Sequence, residues 1–267
     1  MVIRLFFCVA LAGFFCIGST ALALVDHARG GPVTAQNFDE RYVLNSAAKD
    51  NLQWVPDPAG SGRTVLFARV RDSDRNTAGA KRTEVSPKFE YIKGGVRWYA
   101  FSFYLPADWQ FHDYDTVVAQ LHTSQKTAVV PPPLAFVISG NNLTLSQHHP
   151  TDLSSPVSKI NTTTVNNKIS TVVTGGWYCL VVRADWSSML NTGSLNIWLN
   201  GKSVFKEQGQ HNAYATWLGN YPKAGLYMPG RMGVSKREIY LDFIHLGDAL
   251  SSIEEMNALT PCNVRSN

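Results

Sequence analysis

Hydrophobic and polar residues alternate with a period of two over most of the chain between Thr64 and Leu246. This period is typical of β-strands that bury one face and expose the other to water. Turn-forming residues separate the alternating segments. The candidate strands are Thr64–Val70, Val96–Leu105, Thr116–His122, Leu134–Ser139, Asn142–Gln147, Lys168–Thr174, Trp177–Asp185, Ser194–Leu199, Lys202–Lys206, Ala224–Met228 and Glu238–Leu246.

Local signals at two places support this pattern. Asn200-Gly201 lies between two candidate strands and is the strongest short signal for a β-hairpin. Ser251–Leu259 is the one segment that we predict as a helix, because Ser252 and Glu255 have the spacing of a capping box. Many strands with one short helix predict an all-β fold: an antiparallel two-sheet β-sandwich, or jelly roll, whose concave face forms a groove for an extended polymer.

Composition and charge narrow the classes of protein. Of the 267 residues, 45% are hydrophobic and 16% are charged, which is enough to build a core and too little charge for a disordered chain. No linker or repeat divides the chain, so we expect a single domain over residues 24–267. The net charge of +4 does not indicate a nucleic acid partner.

The first residues have the pattern of a targeting segment. Arg4 supplies a positive charge, Leu5–Ile17 is apolar, and Ala21-Leu22-Ala23 matches a signal-peptidase site. The alternative, a membrane anchor, would need a longer apolar run. Residues 1–23 are therefore predicted to be a secretory signal peptide, and the mature protein to be secreted and free of the membrane.

Two cysteines remain after residue 23, and their state is open at the sequence level. Cys179 and Cys262 could pair in an oxidising compartment. Alternatively, Cys179 is simply buried inside the apolar run Trp177–Val182.

Several kinds of catalytic site are absent from the sequence. It has no GxSxG, P-loop or GxGxxG motif, and no Cys/His cluster typical of zinc sites. The spaced carboxylates of a jelly-roll glycosidase are also missing, because Glu254-Glu255 belong to the predicted helix start. Hydrolysis by a two-carboxylate mechanism is therefore disfavoured.

Three short strings carry the candidate chemistry. They are Lys81-Arg82-Thr83-Glu84, Gln120-Leu121-His122 and Tyr221-Pro222-Lys223-Ala224-Gly225-Leu226-Tyr227. Alternate residues of a strand share a face, so each string presents its polar side chains together. In the third string, Gly225 leaves a gap between Lys223 and Tyr227, where a sugar ring could lie against the backbone. Taken alone, each has an ordinary structural explanation: a surface ion pair, a hydrogen-bonded histidine, and a tyrosine packed on a sheet.

Together the strings supply Arg, Gln, His, Lys and Tyr without an essential acid, which suits β-elimination from a uronic-acid polymer. Arginine and glutamine can stabilise the charge that builds on the sugar carboxylate as the C5 proton leaves. Histidine or tyrosine can accept that proton, and tyrosine can donate one to the leaving O4.

These strings resemble the three motif strands of jelly-roll polysaccharide lyases, a group that includes alginate lyases, glucuronan lyases and heparin lyase I. Alginate lyases carry R-x-E, Q-[IV]-H and Y-x-K-x-G-x-Y in this order. The resemblance implies that Arg82 and Gln120 bind the substrate carboxylate, that His122 and Tyr227 transfer protons, and that Lys223 lines the substrate site. It implies no cofactor for catalysis, allows a structural calcium ion, and leads us to expect a monomer.

Departures from the family pattern bear on the substrate. The first motif continues as Val85-Ser86, without the second arginine of many alginate lyases, and Pro229 stands where a glutamine is usual. No run of Lys and Arg corresponds to the basic insertion of a heparin lyase. Glucuronan or another unsulfated uronate polymer is therefore the preferred substrate class.

Other functions remain open at this stage. A non-catalytic lectin-like sandwich would share the scaffold and could use Trp109, Trp186 or Trp217 as stacking platforms for sugars. A structural coat or adhesion protein would need no groove chemistry. The combination of a Gln/His pair with a Lys/Tyr pair favours the enzyme, because a lectin needs neither.

Overall fold

The computed structural model describes residues 33–88, 94–124, 130–151, 161–215 and 219–263. The predicted signal peptide and Trp217 lie outside these residues. The described strands are β1 (Tyr42–Ser46), β2 (Leu52–Pro56), β3 (Thr64–Arg71), β4 (Lys81–Pro87), β5 (Gly95–Leu105), β6 (Thr116–Ser124), β7 (Leu134–Ser139), β8 (Asn142–Pro150), β9 (Thr162–Thr171), β10 (Gly176–Trp186), β11 (Gly193–Leu199), β12 (Lys202–Gln210), β13 (Gly219–Met228), β14 (Lys236–Leu241) and β15 (His245–Gly247). The helices are α1 (Phe38–Arg41) and α2 (Ile253–Ala258), with 3-10 turns at Lys49–Asn51 and Pro261–Asn263.

The strands form two antiparallel sheets. The first sheet has the order β1-β4-β13-β6-β7-β8-β9, and the second has the order β12-β11-β10-β5-β14-β3-β2, with β15 also paired to β5. Apolar side chains from both sheets form one core, in which Phe101 and Phe136 meet with ring centroids 6.3 Å apart. The predicted antiparallel two-sheet sandwich is thus confirmed, whereas the domain boundaries at residues 24 and 267 stay a prediction.

The strand pattern missed the edges of the sheets. The strands β1 and β2 are short, lie at the ends of their sheets and contain few fully buried residues, so their alternation is weak. The predicted strand Glu238–Leu246 is interrupted after Leu241, where the backbone N–H of Asp242 binds the Ser102 carbonyl and its carboxylate binds Arg63 at 2.7 Å. The four-residue helix α1 was also not predicted.

An irregularity in β6 changes which of its side chains face the core. The register with β7 shifts between Val117 and Ala119, so Val118 is the extra residue of a β-bulge. Val118 packs in the core and Val117 lines a cavity on the other side of the sheet. Simple alternation places Val118 on the same face as Gln120, and the bulge makes that placement wrong.

The C-terminal segment covers the outer face of the second sheet. The helix α2 begins with the predicted capping box, in which Ser252 Oγ accepts from the Glu255 N–H and the Glu255 carboxylate accepts from the Ser252 N–H. Met256 packs on this sheet beside Trp98. Cys179 and Cys262 form a disulfide, so the segment is covalently attached to β10.

No helix among the residues described here combines the length and the apolar character needed to cross a bilayer.

Candidate active site

The three motif strings lie on neighbouring strands of the first sheet, because β13 is inserted between β4 and β6. In the strand register, Tyr227 lies opposite Arg82 and Lys223 lies opposite Gln120. His122 lies opposite Tyr221 in the same register. Directly opposed residues in a β-ladder project to the same face. The sheet therefore gathers side chains that are far apart in the sequence.

These side chains face a cavity of about 970 Å³ on the side of the sheet away from the core. Arg82, Gln120, His122, Lys223 and Tyr227 all line it. Its lining runs from Asn45 on β1 to Asn166 on β9, across the whole sheet. The structure thus brings all the predicted site residues together, while their roles stay predictions.

Glu84 is the common partner of the polar side chains in this cluster. Its carboxylate is 3.2 Å from Nη1 of Arg82 and 3.5 Å from Nζ of Lys223, and it accepts a 2.5 Å hydrogen bond from Nε2 of Gln120. The residue is only 2% exposed, so these contacts lie in a largely desolvated region. Glu84 neutralises one of the two cationic charges, so the cluster of Arg82, Lys223 and Glu84 has a net charge of +1.

Arg82 is held in place on several sides. Besides Glu84, it donates a hydrogen bond to the Ala78 carbonyl at 3.1 Å. Its guanidinium lies over the Tyr227 ring, 4.4 Å from the centroid, which is a favourable cation–π geometry. The Tyr227 hydroxyl has no hydrogen-bond partner among the residues that the structure describes, so it is available to a ligand in the cavity.

His122 is oriented by its own backbone neighbour. Its Nδ1 is 2.9 Å from the carbonyl oxygen of Thr123. A carbonyl can only accept, so Nδ1 carries the proton and Nε2 of the neutral ring is the basic nitrogen. Burial lowers the pKa of His122, and the positive charges of Lys223 and Arg82 lower it further, against the opposing influence of the Thr123 hydrogen bond and of Glu84. The ring is therefore neutral, and competent as a base, at neutral pH.

Gly225 has a different role from the one the sequence indicated. We expected its missing side chain to leave space for a sugar ring between Lys223 and Tyr227. A Cβ at this position would lie 2.2 Å from the Thr83 carbonyl oxygen, and φ is +143°. The glycine therefore allows β13 to approach β4 closely, and it is the backbone of β4 that fills the space.

Sequence reasoning found part of this network and missed the rest. The R-x-E spacing indicated the pair of Arg82 and Glu84, but the contacts of Glu84 with Gln120 and Lys223 depend on how the strands align. The string that contains Lys223 and Tyr227 also contains Tyr221, whose ring lies 5.5 Å from that of His122. Its period of two would have indicated Tyr221 as a further lining residue.

Two of the three tryptophans considered as sugar-stacking platforms, Trp109 and Trp186, do not form them, and Trp217 lies outside the described residues. Trp109 and Trp186 are both buried in the core. Trp186 donates a hydrogen bond to the Tyr99 hydroxyl at 2.9 Å, and Trp109 packs under Arg237. This placement removes one support for the lectin-like alternative.

A family model described as "Polysaccharide lyase" matches residues 31–245, and the chain therefore belongs to the polysaccharide lyase family. The protein is a jelly-roll polysaccharide lyase, as the resemblance of the three strings indicated. The search of curated protein sequences found no match.

Solved structures share the fold at low sequence identity. An endo-β-1,4-glucuronan lyase from the fungus Trichoderma reesei is 22% identical, with a TM-score of 0.65 over 76% of this chain and 88% of that chain. The family 7 alginate lyase A1-II′ is 14% identical, with a TM-score of 0.56 over 79% and 97% of the two chains. The binding domain of a botulinum neurotoxin is 9% identical, with a TM-score of 0.50 over 82% and 46%. The fold alone therefore does not define the activity, whereas the family match does.

Proposed function

We propose that this polysaccharide lyase cleaves a uronic-acid polymer by β-elimination. The observation that carries the proposal is the convergence of a neutral histidine with Arg82, Lys223 and a tyrosine hydroxyl that has no hydrogen-bond partner among the described residues. A sugar carboxylate in this cavity would meet the cations, while its C5 proton and O4 would lie near His122 and Tyr227.

The side of the cavity that contains Arg82, Lys223 and Gln120 recognises one sugar carboxylate. Arg82 and Lys223 lie on adjacent strands, and Gln120 keeps a second amide N–H beyond the one that it donates to Glu84. As the C5 proton departs, negative charge grows on the carboxylate oxygens. Preorganised donors in a water-poor site stabilise that charge more than they stabilise the ground state, and this lowers the barrier.

The proton transfers follow from the two remaining side chains. The neutral His122 accepts the C5 proton through Nε2, and the electrons of the C5–H bond form the C4–C5 double bond. The bond from C4 to the glycosidic oxygen breaks, and Tyr227 donates its proton to that oxygen. The His122 imidazolium then returns a proton to the tyrosine through solvent. No water is consumed in the cleavage step.

The proposed substrate is glucuronan or a similar unsulfated polyuronate. The fold similarity to the structure described as a glucuronan lyase, and the departures from the alginate lyase motifs, support this choice. The lining also crosses seven strands, or six spacings of about 4.8 Å, for a total of about 29 Å. A groove of this length suits several consecutive sugars of a polymer.

Secretion is part of the same proposal. The pattern of residues 1–23 supports it, and so does the pair Cys179–Cys262, because disulfides persist in oxidising compartments. A monomeric state and a structural calcium ion stay predictions. In the part of the chain that the structure covers, no group of three or more His, Cys, Asp or Glu side chains is arranged to hold a metal.

The test is to incubate the purified protein with glucuronan, polymannuronate and polyguluronate and to follow ultraviolet absorbance. Elimination creates a C4–C5 double bond conjugated with the carboxylate, and we expect the fastest rise with glucuronan. Arg82→Ala should raise KM and lower kcat, since it removes a charge that acts in both the ground and the transition states. If no polyuronate yields unsaturated ends, the β-elimination proposal is wrong.

A further inference from the structure

The substrate groove is divided into two halves of different charge. Arg82 and Lys223, the cationic side chains of the described lining, both belong to the cluster around Glu84. The other half, which we call the neutral half, is formed by the groove-facing residues of β7, β8 and β9. Its lining residues used below are Ser146, His148, Thr164 and Asn166.

In the neutral half, the described lining residues offer hydrogen-bonding groups without positive charge. The side chains of Ser146, Thr164 and Asn166 make no hydrogen bond with other described residues, so they can bind a ligand. His148 donates from Nδ1 to the Pro132 carbonyl at 2.8 Å, which leaves Nε2 as an acceptor. Burial lowers the pKa of His148, so this ring is also neutral at neutral pH.

The charges near this half do not favour an anion. Asp115 lines the cavity and is negative. Lys168 lies opposite Thr144 and is therefore on the groove-facing side of β9, but it is exposed at the edge of this half and does not line the cavity. A sugar carboxylate placed between Ser146 and Asn166 would lose water without gaining a cationic partner among the described lining residues, which costs free energy. A sugar hydroxyl would find both donors and acceptors.

We propose that the neutral half binds uncharged, hydroxyl-rich sugar units, so that the enzyme requires a carboxylate only on the sugar held by Arg82 and Lys223. This inference rests on the proposed β-elimination. It extends the substrate class to mixed polymers in which a uronate is flanked by neutral sugars on the side that crosses β7–β9.

The test uses one polyuronate in which graded fractions of the carboxylates have been reduced to alcohols. If only the reacting sugar needs its carboxylate, kcat/KM per unit of polymer falls in proportion to the fraction of carboxylates that remains unreduced. At one quarter of the carboxylates, this is about a fourfold loss, whereas a requirement for a second carboxylate in the neutral half gives about a 16-fold loss. The steeper dependence would overturn the inference. If the unreduced polymer is not cleaved at all, the proposed function fails and this inference fails with it.

A pair of substitutions on β9 tests the location. Asn166→Lys places a cation in the neutral half and should make the dependence on carboxylate fraction steeper. Val165→Lys is the matched control, because Val165 is the preceding residue of the same strand, is exposed and does not line the cavity. In the Val165→Lys variant, the dependence of kcat/KM on the fraction of carboxylates should remain that of the wild type. Identical behaviour of the two variants would show that the chain does not lie across β7–β9.

Discussion

Among single residues, Glu84 connects the largest number of site side chains, and its loss should disturb all of them. Glu84→Gln keeps the shape but removes the charge that balances Arg82 and Lys223. Breaking a buried ion pair typically costs about 3–5 kcal/mol. We expect a lower melting temperature and a kcat reduced by about 10²-fold because the cations are no longer aligned.

The control for this substitution is Glu238→Gln. Glu238 pairs with Lys236 at 2.6 Å, and that lysine is 53% exposed at its side chain. Water and salt screen the attraction in such an exposed pair, so stability and activity should change little. Equal effects of the two substitutions would show that the Glu84 network has no special role in the site.

Tyr227→Phe removes one oxygen atom from the site. It therefore tests the role of this hydroxyl in the reaction separately from its role in substrate binding. The ring remains under the Arg82 guanidinium, so packing and stability should be almost unchanged. Loss of the hydroxyl should lower kcat by about 10²–10⁴-fold with little change in KM, because proton transfer occurs only in the transition state. Tyr240→Phe on the second sheet is the control. Near wild-type turnover by the Tyr227 variant would assign the proton transfer to another group.

The protonation of His122 sets the expected pH dependence. Only the neutral ring can act as the base, so activity falls as pH decreases through the pKa of this group. Burial and the charges of Lys223 and Arg82 lower that pKa below the ordinary value of 6.5. The acid limb of kcat/KM should therefore lie below pH 6.5, and Lys223→Met should move it upward. If the acid limb of the kcat/KM profile lies at the same pH in Lys223→Met as in the wild type, this result would argue against His122 as the base.

Among the secondary-structure elements, the pairing of β13 with β4 depends on Gly225. Gly225→Ala would place a Cβ 2.2 Å from the Thr83 carbonyl oxygen and 2.7 Å from the Cα of Glu84, in a positive-φ conformation. The strands must separate, so we expect a loss of stability of about 1–3 kcal/mol. Activity should also fall, because Tyr227 and Arg82 are carried by the separating strands.

Gly230→Ala is the matched control for this prediction. It lies just beyond the end of β13, and a Cβ there meets no atom within 4 Å. Urea unfolding of both variants measures the difference. The Gly225→Ala protein should have a lower free energy of unfolding than the Gly230→Ala protein. Equal values for the two proteins would contradict the assigned role of Gly225.

The sequence predicted long central strands better than irregular features. Strands such as β5 and β10 alternate over many residues and were recognised, whereas β1 and β2 are short edge strands with weak patterns. The bulge at Val118 is not visible in a period of two, because it depends on the neighbouring strands. The contacts of Glu84 were likewise out of reach, since they follow from the cross-strand register.

At the scale of the whole molecule, the disulfide ties the C-terminal segment to the second sheet. Cys179 and Cys262 are 83 residues apart, and removing a cross-link over such a loop typically costs about 2–5 kcal/mol. Cys262→Ser, or treatment with a reductant, should therefore lower the melting temperature. Activity at room temperature should persist, because the candidate site lies on the other sheet.

The internal control is to add the reductant to Cys262→Ser, where no further change should occur. A wild-type melting temperature that does not respond to the reductant would contradict a stabilising role for this bond.

At this scale, the fold class could be predicted from the strand pattern, and membership of the polysaccharide lyases from three strings with distinctive residue types. The division of the groove by charge could not. Ser146 and Asn166 are ordinary residues of β8 and β9, and nothing in their spacing shows that they line the same cavity as Arg82.

The position of β13 also affects how the protein is made. This strand emerges late in synthesis, yet it pairs with β4 and β6, which are synthesised much earlier. Until it arrives, the β1–β4 pair and the β6–β9 meander each present an unpaired edge, and such edges promote aggregation. Non-local pairing of this kind is slow. The strand that closes the first sheet also carries Lys223 and Tyr227, so the return of enzymatic activity during refolding should report the completion of that sheet.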